Sequence, residues 1–245
     1  MGHRHATRSG ALLLAGLIPL LGQATTQSLN YGDFSSVAGL QLNGNAAQQG
    51  SKLTLTPATT YQSGSAFSSA PITLTADASF SSSFSFEILN RGGLGGGADG
   101  LVFVVQTNAN NVGGSGGGIG YAGITNSVGV EFDTYDNGEY GGSNHVGVDL
   151  NGSVNSVAST APLTPDFDNG EKWYAWVDYN GSTKNLAVRW SQSSSRPAAA
   201  GLSYTVDLPA VLGSSNAYVG FTSGTGAGWG EHNLLSWAFV NEYQE

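Results

Sequence analysis

Along this chain apolar and polar residues exchange places at every second position, in short runs separated by turns rich in glycine, asparagine and serine. Phe80, Ser82, Phe84, Phe86 and Ile88 fall on one side of such a period-two pattern, with Ser81, Ser83, Ser85 and Glu87 on the other. The pattern predicts a strand whose first set faces a core. Val128-Gly-Val-Glu-Phe132 and His145-Val-Gly-Val-Asp-Leu150 alternate likewise across a polar, glycine-rich loop and predict two paired strands. Leu101-Val-Phe-Val-Val105 is apolar without alternation, which predicts a strand covered on both faces. Lys172 to Trp190 predicts two strands joined by a turn at Asn180-Gly181, its aromatic residues serving packing. Near the start, Leu29 to Phe34 and Leu40 to Ala46 predict an opening strand pair, followed by a strand over Lys52 to Thr56.

Ahead of these runs, Met1 to Ser9 carries Arg4 and Arg8, an apolar stretch follows from Ala11 to Leu21, and Gly22-Gln-Ala24 closes it. This is the layout of a secretory signal peptide over 1–24, and it predicts a secreted or extracytoplasmic protein with one domain over 25–245. The stretch is too short for a membrane span, which takes about 20 apolar residues, and nothing later in the chain approaches that length. Without the leader the chain loses Arg4 and Arg8, and the formal charge moves from −9 to −11. Clustered Lys and Arg are missing, so nucleic acid is excluded as a partner. With no cysteine there is neither a disulfide framework nor a thiolate metal site. The 37 glycines and the scarcity of charge favour short strands and tight turns over helices. The leader and the absence of cysteine together point to a bacterial exported protein. Asn151-Gly-Ser153 and Asn180-Gly-Ser182 fit the glycosylation sequon.

The chemistry concentrates between Val128 and Asn151. Glu131 and Asp133 stand two apart, hence on one face of a strand, and Asn137, Glu139 and His145 follow on the loop and the returning strand. Carboxylate, amide and carbonyl oxygens suit Ca2+, and an added imidazole suits an ion such as Mn2+. An isolated Glu-x-Asp at a strand end is ordinarily only a solvated rim. Here the whole string, E-F-D-T-Y-x-N then N-H-V-G-V-D, resembles the metal-binding signature of the legume-type (L-type) lectins. Three further segments resemble that family in the same order: Gly64 to Ile72, the A-D-G-L-x-F segment from Ala98 to Phe103, and Val219 to Phe239, which carries V-G-F-T-S-x-T-G and E-H-x-L-x-S-W-x-F where the family has E-x-H-x-[VIL]-x-S-W-x-F.

The resemblance spans Leu29 to Phe239 and implies an all-β, concanavalin-like jelly-roll sandwich of two large antiparallel sheets, with sugar and two ions at one end. It implies a carbohydrate-binding protein whose partner is a carbohydrate or glycoconjugate. In such a site Asp99, after a cis Ala-Asp peptide, accepts from two sugar hydroxyls. The Gly117 N–H, in the loop Gly113 to Gly120, and the Asn137 amide donate to the sugar. Tyr135 or Trp229 offers it a ring, and the loop Gly224 to Gly230, with Ala227, sets sugar preference. A Ca2+ is expected on Asp133, the Tyr135 carbonyl and Asn137, and a Mn2+-class ion on Glu131, Asp133 and His145. Pairing of sheet edges or backs, as in the family, makes a homo-oligomer a candidate assembly.

One departure stands out. The family places an aspartate bridging both ions between the asparagine and the histidine, and here Glu139 is the nearest carboxylate. If Glu139 does not replace it, one ion site is compromised, and a structural or adhesion module that has lost the sugar becomes the alternative. The other rival is a glycoside hydrolase of related fold, which needs a second glutamate where this chain has Tyr135 and Asp136. Asp136 is an odd step from Asp133 and is expected to point to the other face.

Overall fold

The structure, a computed structural model, describes residues 1–2, 25–74, 77–108, 110–139 and 141–244. Beyond its first two residues, the predicted leader lies outside the described residues. In chain order the strands are β1 (Ser28–Tyr31), β2 (Leu40–Gly44), β3 (Ala47–Gln49), β4 (Lys52–Thr56), β5 (Ser63–Ser68), β6 (Ile72–Thr73), β7 (Phe80–Gly93) and β8 (Gly100–Gln106). They continue with β9 (Ser127–Asp133), β10 (His145–Leu150), β11 (Ala158–Ser159), β12 (Trp173–Asn180), β13 (Asn185–Ser191), β14 (Leu202–Thr205), β15 (Asn216–Gly224) and β16 (Gly228–Val240). All pairings among the described strands are antiparallel. The back sheet has the order β14-β13-β12-β7-β16-β4-β3, with β1 also on β16, and the front sheet β11-β10-β9-β8-β15-β5-β2, with β6 also on β15. This is the all-β sandwich of two large antiparallel sheets that the alternation and the resemblance imply.

One expectation is corrected. The opening strands do not pair with each other: β1 lies on β16 in the back sheet and β2 on β5 in the front sheet. The reason is packing, since Tyr31 stacks on Phe34 and on Trp237 of β16, with ring centroids 5.4 and 5.9 Å apart. Among the described residues there is also one short α-helix, α1 (Leu208–Leu212). Asp207 caps it by accepting from Ala210 N, Pro209 sits in the first turn where its missing N–H costs nothing, and Gly213 closes it at φ 65°.

Between the sheets the core is aromatic. Phe84 packs edge-on against Phe221 at 4.8 Å, Phe86 lies 5.4 Å from Phe132, and Phe132 and Trp173 both meet Phe167 edge-on. β7 buries Phe80, Ser82, Phe84, Phe86 and Ile88, as its alternation requires, and the Ser82 hydroxyl accepts from Trp237 Nε1 at 3.0 Å. Leu101 to Val105 is buried on both faces because a smaller cluster, Ile119, Tyr121 and Ile124, covers Val102 and Val104 from outside. The long strand β16 runs from Gly228, beside Ala98, to Val240, paired with Ser28. Past its end, Asn241 ties the first described segment down, accepting from Gln27 N and donating to Thr25 O.

Candidate metal and ligand site

The hairpin β9–β10 is the foundation of the site. Its register sets Asp133 opposite His145, Glu131 opposite Gly147 and Gly129 opposite Asp149. Period two then sends Val128, Val130, Phe132, Val146 and Val148 into the core, and leaves Glu131, Asp133, His145 and Asp149 together on the other side. They are not a solvated rim: Glu131, His145 and Asp149 are 0% exposed and Asp133 2%. The segments 113–124, 134–139, 141–142 and 151–156 close over them.

Burial raises the pKa of Asp133 and of Asp149 well above the carboxylate range, and the Glu131 charge adds to both. Burial would lower His145, but the Glu131 carboxylate, 2.9 Å from Nε2, outweighs it and the pKa is raised; Nδ1 faces the Gly142 carbonyl at 2.7 Å. Ligand atoms of Asp133, Glu139 and His145 lie within 4.8 Å of one another. Glu139 Oε1, Glu131 Oε2 and Asp99 Oδ2 are buried without a hydrogen-bond partner. Every described Lys and Arg is engaged elsewhere: Lys52 with Glu87, Arg91 with Asp168, Lys184 with Asp207, Arg189 and Arg196 with Asp178, and Lys172 over Tyr174. Uncompensated buried carboxylates are costly, and a cradle of carboxylate oxygens with one imidazole is the donor set of a divalent cation. The residues present therefore fit the implied ions, with Glu139 beside Asp133 and His145.

At the mouth of this cradle four loops meet around Asp99. Its peptide bond with Ala98 is cis, Asp99 N donates to Gly224 O at 3.2 Å, and Asp99 O accepts from Thr134 N at 2.9 Å, so the residue is held between the ends of β15 and β9. Asp99 is 3% exposed, and burial pushes its carboxyl up to about 6 against the opposing Asn137 amide. Asn137 Nδ2 donates to Asp99 Oδ1 at 3.5 Å. Gly117 lies against that amide, where a Cβ would come within 2.6 Å of Asn137 Cγ, so any larger residue there would displace the amide. Gly226 closes another side, its Cβ position 3.4 Å from Asp99 Oδ2.

Asp99, Gly117 and Asn137 thus converge, and Tyr135 joins them: its N–H donates to Asp133 Oδ1 at 2.6 Å and its ring covers Gly95. Ala227 is exposed on the neighbouring loop, accepting from Leu94 N at 3.1 Å. Trp229 is set apart. Gly228 and Gly230 turn toward Ala98, so Trp229 between them faces the other way, over Gly92 and Gly93. Asp136 is exposed and accepts from Gly138 N. Sequence reasoning passed over Asp149 and Ser156, whose hydroxyl bonds Glu131 and Asp149. It also passed over Tyr61, 69% exposed at φ 56°, whose N–H donates to Gly226 O.

Comparison with known proteins matches residues 26–245 to the legume lectin domain. An anti-H(O) lectin from Cytisophyllum sessilifolium is 34% identical over 68% of this chain and 72% of its own length. An L-type lectin-domain containing receptor kinase from Arabidopsis thaliana is 33% identical over 67% of this chain, and the match spans only 24% of that kinase. Among solved structures, a lectin from Bauhinia forficata in complex with GalNAc superposes with a TM-score of 0.76 at 29% identity, covering 88% of this chain and 98% of the other.

Proposed function

We propose a function from one premise: the chain belongs to the legume lectin domain family, whose lectins are carbohydrate-binding proteins and not enzymes. On our reading the cleft around Asp99 is the sugar site. The Asp99 carboxylate accepts from sugar hydroxyls, and the Asn137 amide and the Gly117 N–H donate to them. The Tyr135 ring, braced on Gly95, supplies the apolar wall, and the loop from Gly224 to Gly230 closes the side from which Ala227 projects. Ca2+ would be held by Asp133, the Tyr135 carbonyl and Asn137, and a Mn2+-class ion by Glu131, Asp133 and His145, with Glu139 in the bridging position. Bound there, the ions supply the positive charge that fixes these side chains. Asp133 holds the turn through its bond to Tyr135 N, and the turn holds Asn137 at Asp99.

The observation that carries this reading is Asp99 Oδ2, a buried carboxylate oxygen with no side-chain donor and only the Gly226 backbone beside it, on a residue whose other oxygen faces an amide donor. Such an atom is costly until a hydroxyl donates to it. The reading with less support is a module that keeps the fold without the sugar. Its ground is the absent bridging aspartate, and the Glu139 carboxylate beside Asp133 and His145 weakens that ground. The leader expected over 1–24 from the sequence supports export. A glycan array run with Ca2+ and Mn2+ and again with chelator tests the proposal. Binding to at least one glycan is expected with ions, lost with chelator and lost in Asp99→Ala. Retention by that variant at wild-type level sinks it.

A further inference from the structure

On the face of the back sheet turned away from the core, the strand register sets side chains in rows. Asp178 of β12, Ser81 of β7, Val240 of β16 and Ser28 of β1 make one row, and Trp176, Ser83, Ala238 and Asn30 make the next. Serine and alanine in the middle, with Trp176 rising beside them, hollow this face into a groove of about 550 Å³. Beyond Trp176 it continues into a second hollow of about 280 Å³, which Tyr174 also lines. Trp176 stacks on Tyr174 with ring centroids 6.4 Å apart and is only half-buried. A half-open indole among hydroxyls and an amide suits the apolar face and the polar edge of a sugar ring. The groove lies where β16 meets Ser28, at the end of that strand away from Asp99.

Charge narrows the ligand further. Asp178, 3% exposed, accepts at the same Oδ2 from Arg189 Nη1 at 3.2 Å and from Arg196 Nη2 at 2.7 Å. Two guanidiniums on one carboxylate leave an excess positive charge, on a chain whose formal charge is −9. Arg189 Nε is buried with no hydrogen-bond partner among the described residues, and the Arg196 side chain, which lines the groove, is 32% exposed. Lys172, 4.9 Å above the Tyr174 ring, brings a third cation to this face. The acidic Glu242 is held by Thr26 at the groove wall, so an incoming anion belongs beside Arg196. The planar fork of a guanidinium matches a carboxylate.

We propose that this groove is a second carbohydrate site, separate from the cleft at Asp99, and that it takes a linear acidic glycan. A uronic-acid carboxylate pairs with Arg196, and a neighbouring sugar ring lies on Trp176. The site needs neither the divalent ions nor Asp99.

The test is calorimetric titration of an oligogalacturonate, and of its neutral methyl-esterified counterpart, into the full chain in chelator, with light scattering of the free protein. Without ions the cleft at Asp99 is silent on our reading, so binding reports the groove. Wild type and Asp99→Ala are expected to bind the acidic oligomer equally. Arg196→Gln is expected to bind it about 10- to 100-fold more weakly, and Trp176→Ala up to about 10-fold more weakly. Arg196→Gln leaves Arg189 on Asp178, so it should melt close to wild type. Wild type that ignores the acidic oligomer in chelator overturns the proposal, as does wild-type affinity in Arg196→Gln or equal affinity for the neutral oligomer. A wild-type dimer that Trp176→Ala splits into monomers would assign the groove to a second copy of the chain, and overturns it too.

Discussion

The two sides of the β9–β10 hairpin are equally dry and are held by opposite means. On one, Val128, Val130, Phe132, Val146 and Val148 meet the aromatic rings of the back sheet. On the other, Glu131, Asp133, His145 and Asp149 are as well hidden, yet two of their oxygens, Glu131 Oε2 and Asp149 Oδ2, lack a donor of their own. Apolar burial is complete once the chain has folded, whereas a closed carboxylate cluster stays expensive until something positive enters. One strand pair can thus be both an anchor of the fold and its most demanding ligand site, because alternation keeps the two tasks on separate faces.

The contrast can be broken from either side. The largest effect is expected from Phe132→Ala, which removes a fully buried ring touching Phe84, Phe86 and Phe167. It should cost about 3–5 kcal/mol in denaturant unfolding, by the same amount with ions or with chelator, since it acts on the apolar side. Removing the ions tests the polar side: if each stands at about a hundred times its Kd, chelation should lower wild-type stability by about 2.7 kcal/mol for each independently bound ion. An unchanged unfolding midpoint would mean that the carboxylates need no counter-charge.

A third buried polar spot sharpens the comparison because it carries no charge. His232 is 0% exposed, its Nδ1 is 2.8 Å from Thr56 Oγ1, and that hydroxyl reaches Ser223, which donates to Gly100 O beside Asp99. Burial depresses its pKa from 6.5 to about 3. The unfolded chain therefore takes up this proton first, and stability falls as the pH drops below 6.5 towards 3. The loss due to this group should reach about 2 kcal/mol between pH 7.5 and 5. It is measured as the difference in acid slope between wild type and His232→Gln, and equal slopes would count against it.

How far the site could be read from sequence followed from how local each signal is. The alternation in 128–132 and 145–150 records which face is buried, and the strings around Asp99 and Asp133 carry the family pattern, so fold and pocket were legible. The strand partners of Leu29 and Leu40 were not, because pairing with β16 and β5 is decided by contacts far along the chain. Glu139 could be named but not placed, since its position depends on a loop closed by Gly142 and His145. Asp149 looked like any polar strand residue. Only the approach of Ser156, from a turn outside the hairpin, joins it to Glu131. The segment Asp207 to Gly213 did carry a cap, a proline and a closing glycine, but the bias towards strands hid a helix of five residues.

β16 has one end beneath the pocket and the other against Ser28, and its 13 residues place the two roughly 40 Å apart. Whatever is joined ahead of Ser28 or after Val240 attaches at the pole opposite the cleft. Copies anchored there to a common support would all present their clefts outward and in parallel. In that arrangement weak single contacts add up to firm adhesion on a surface dense in sugars.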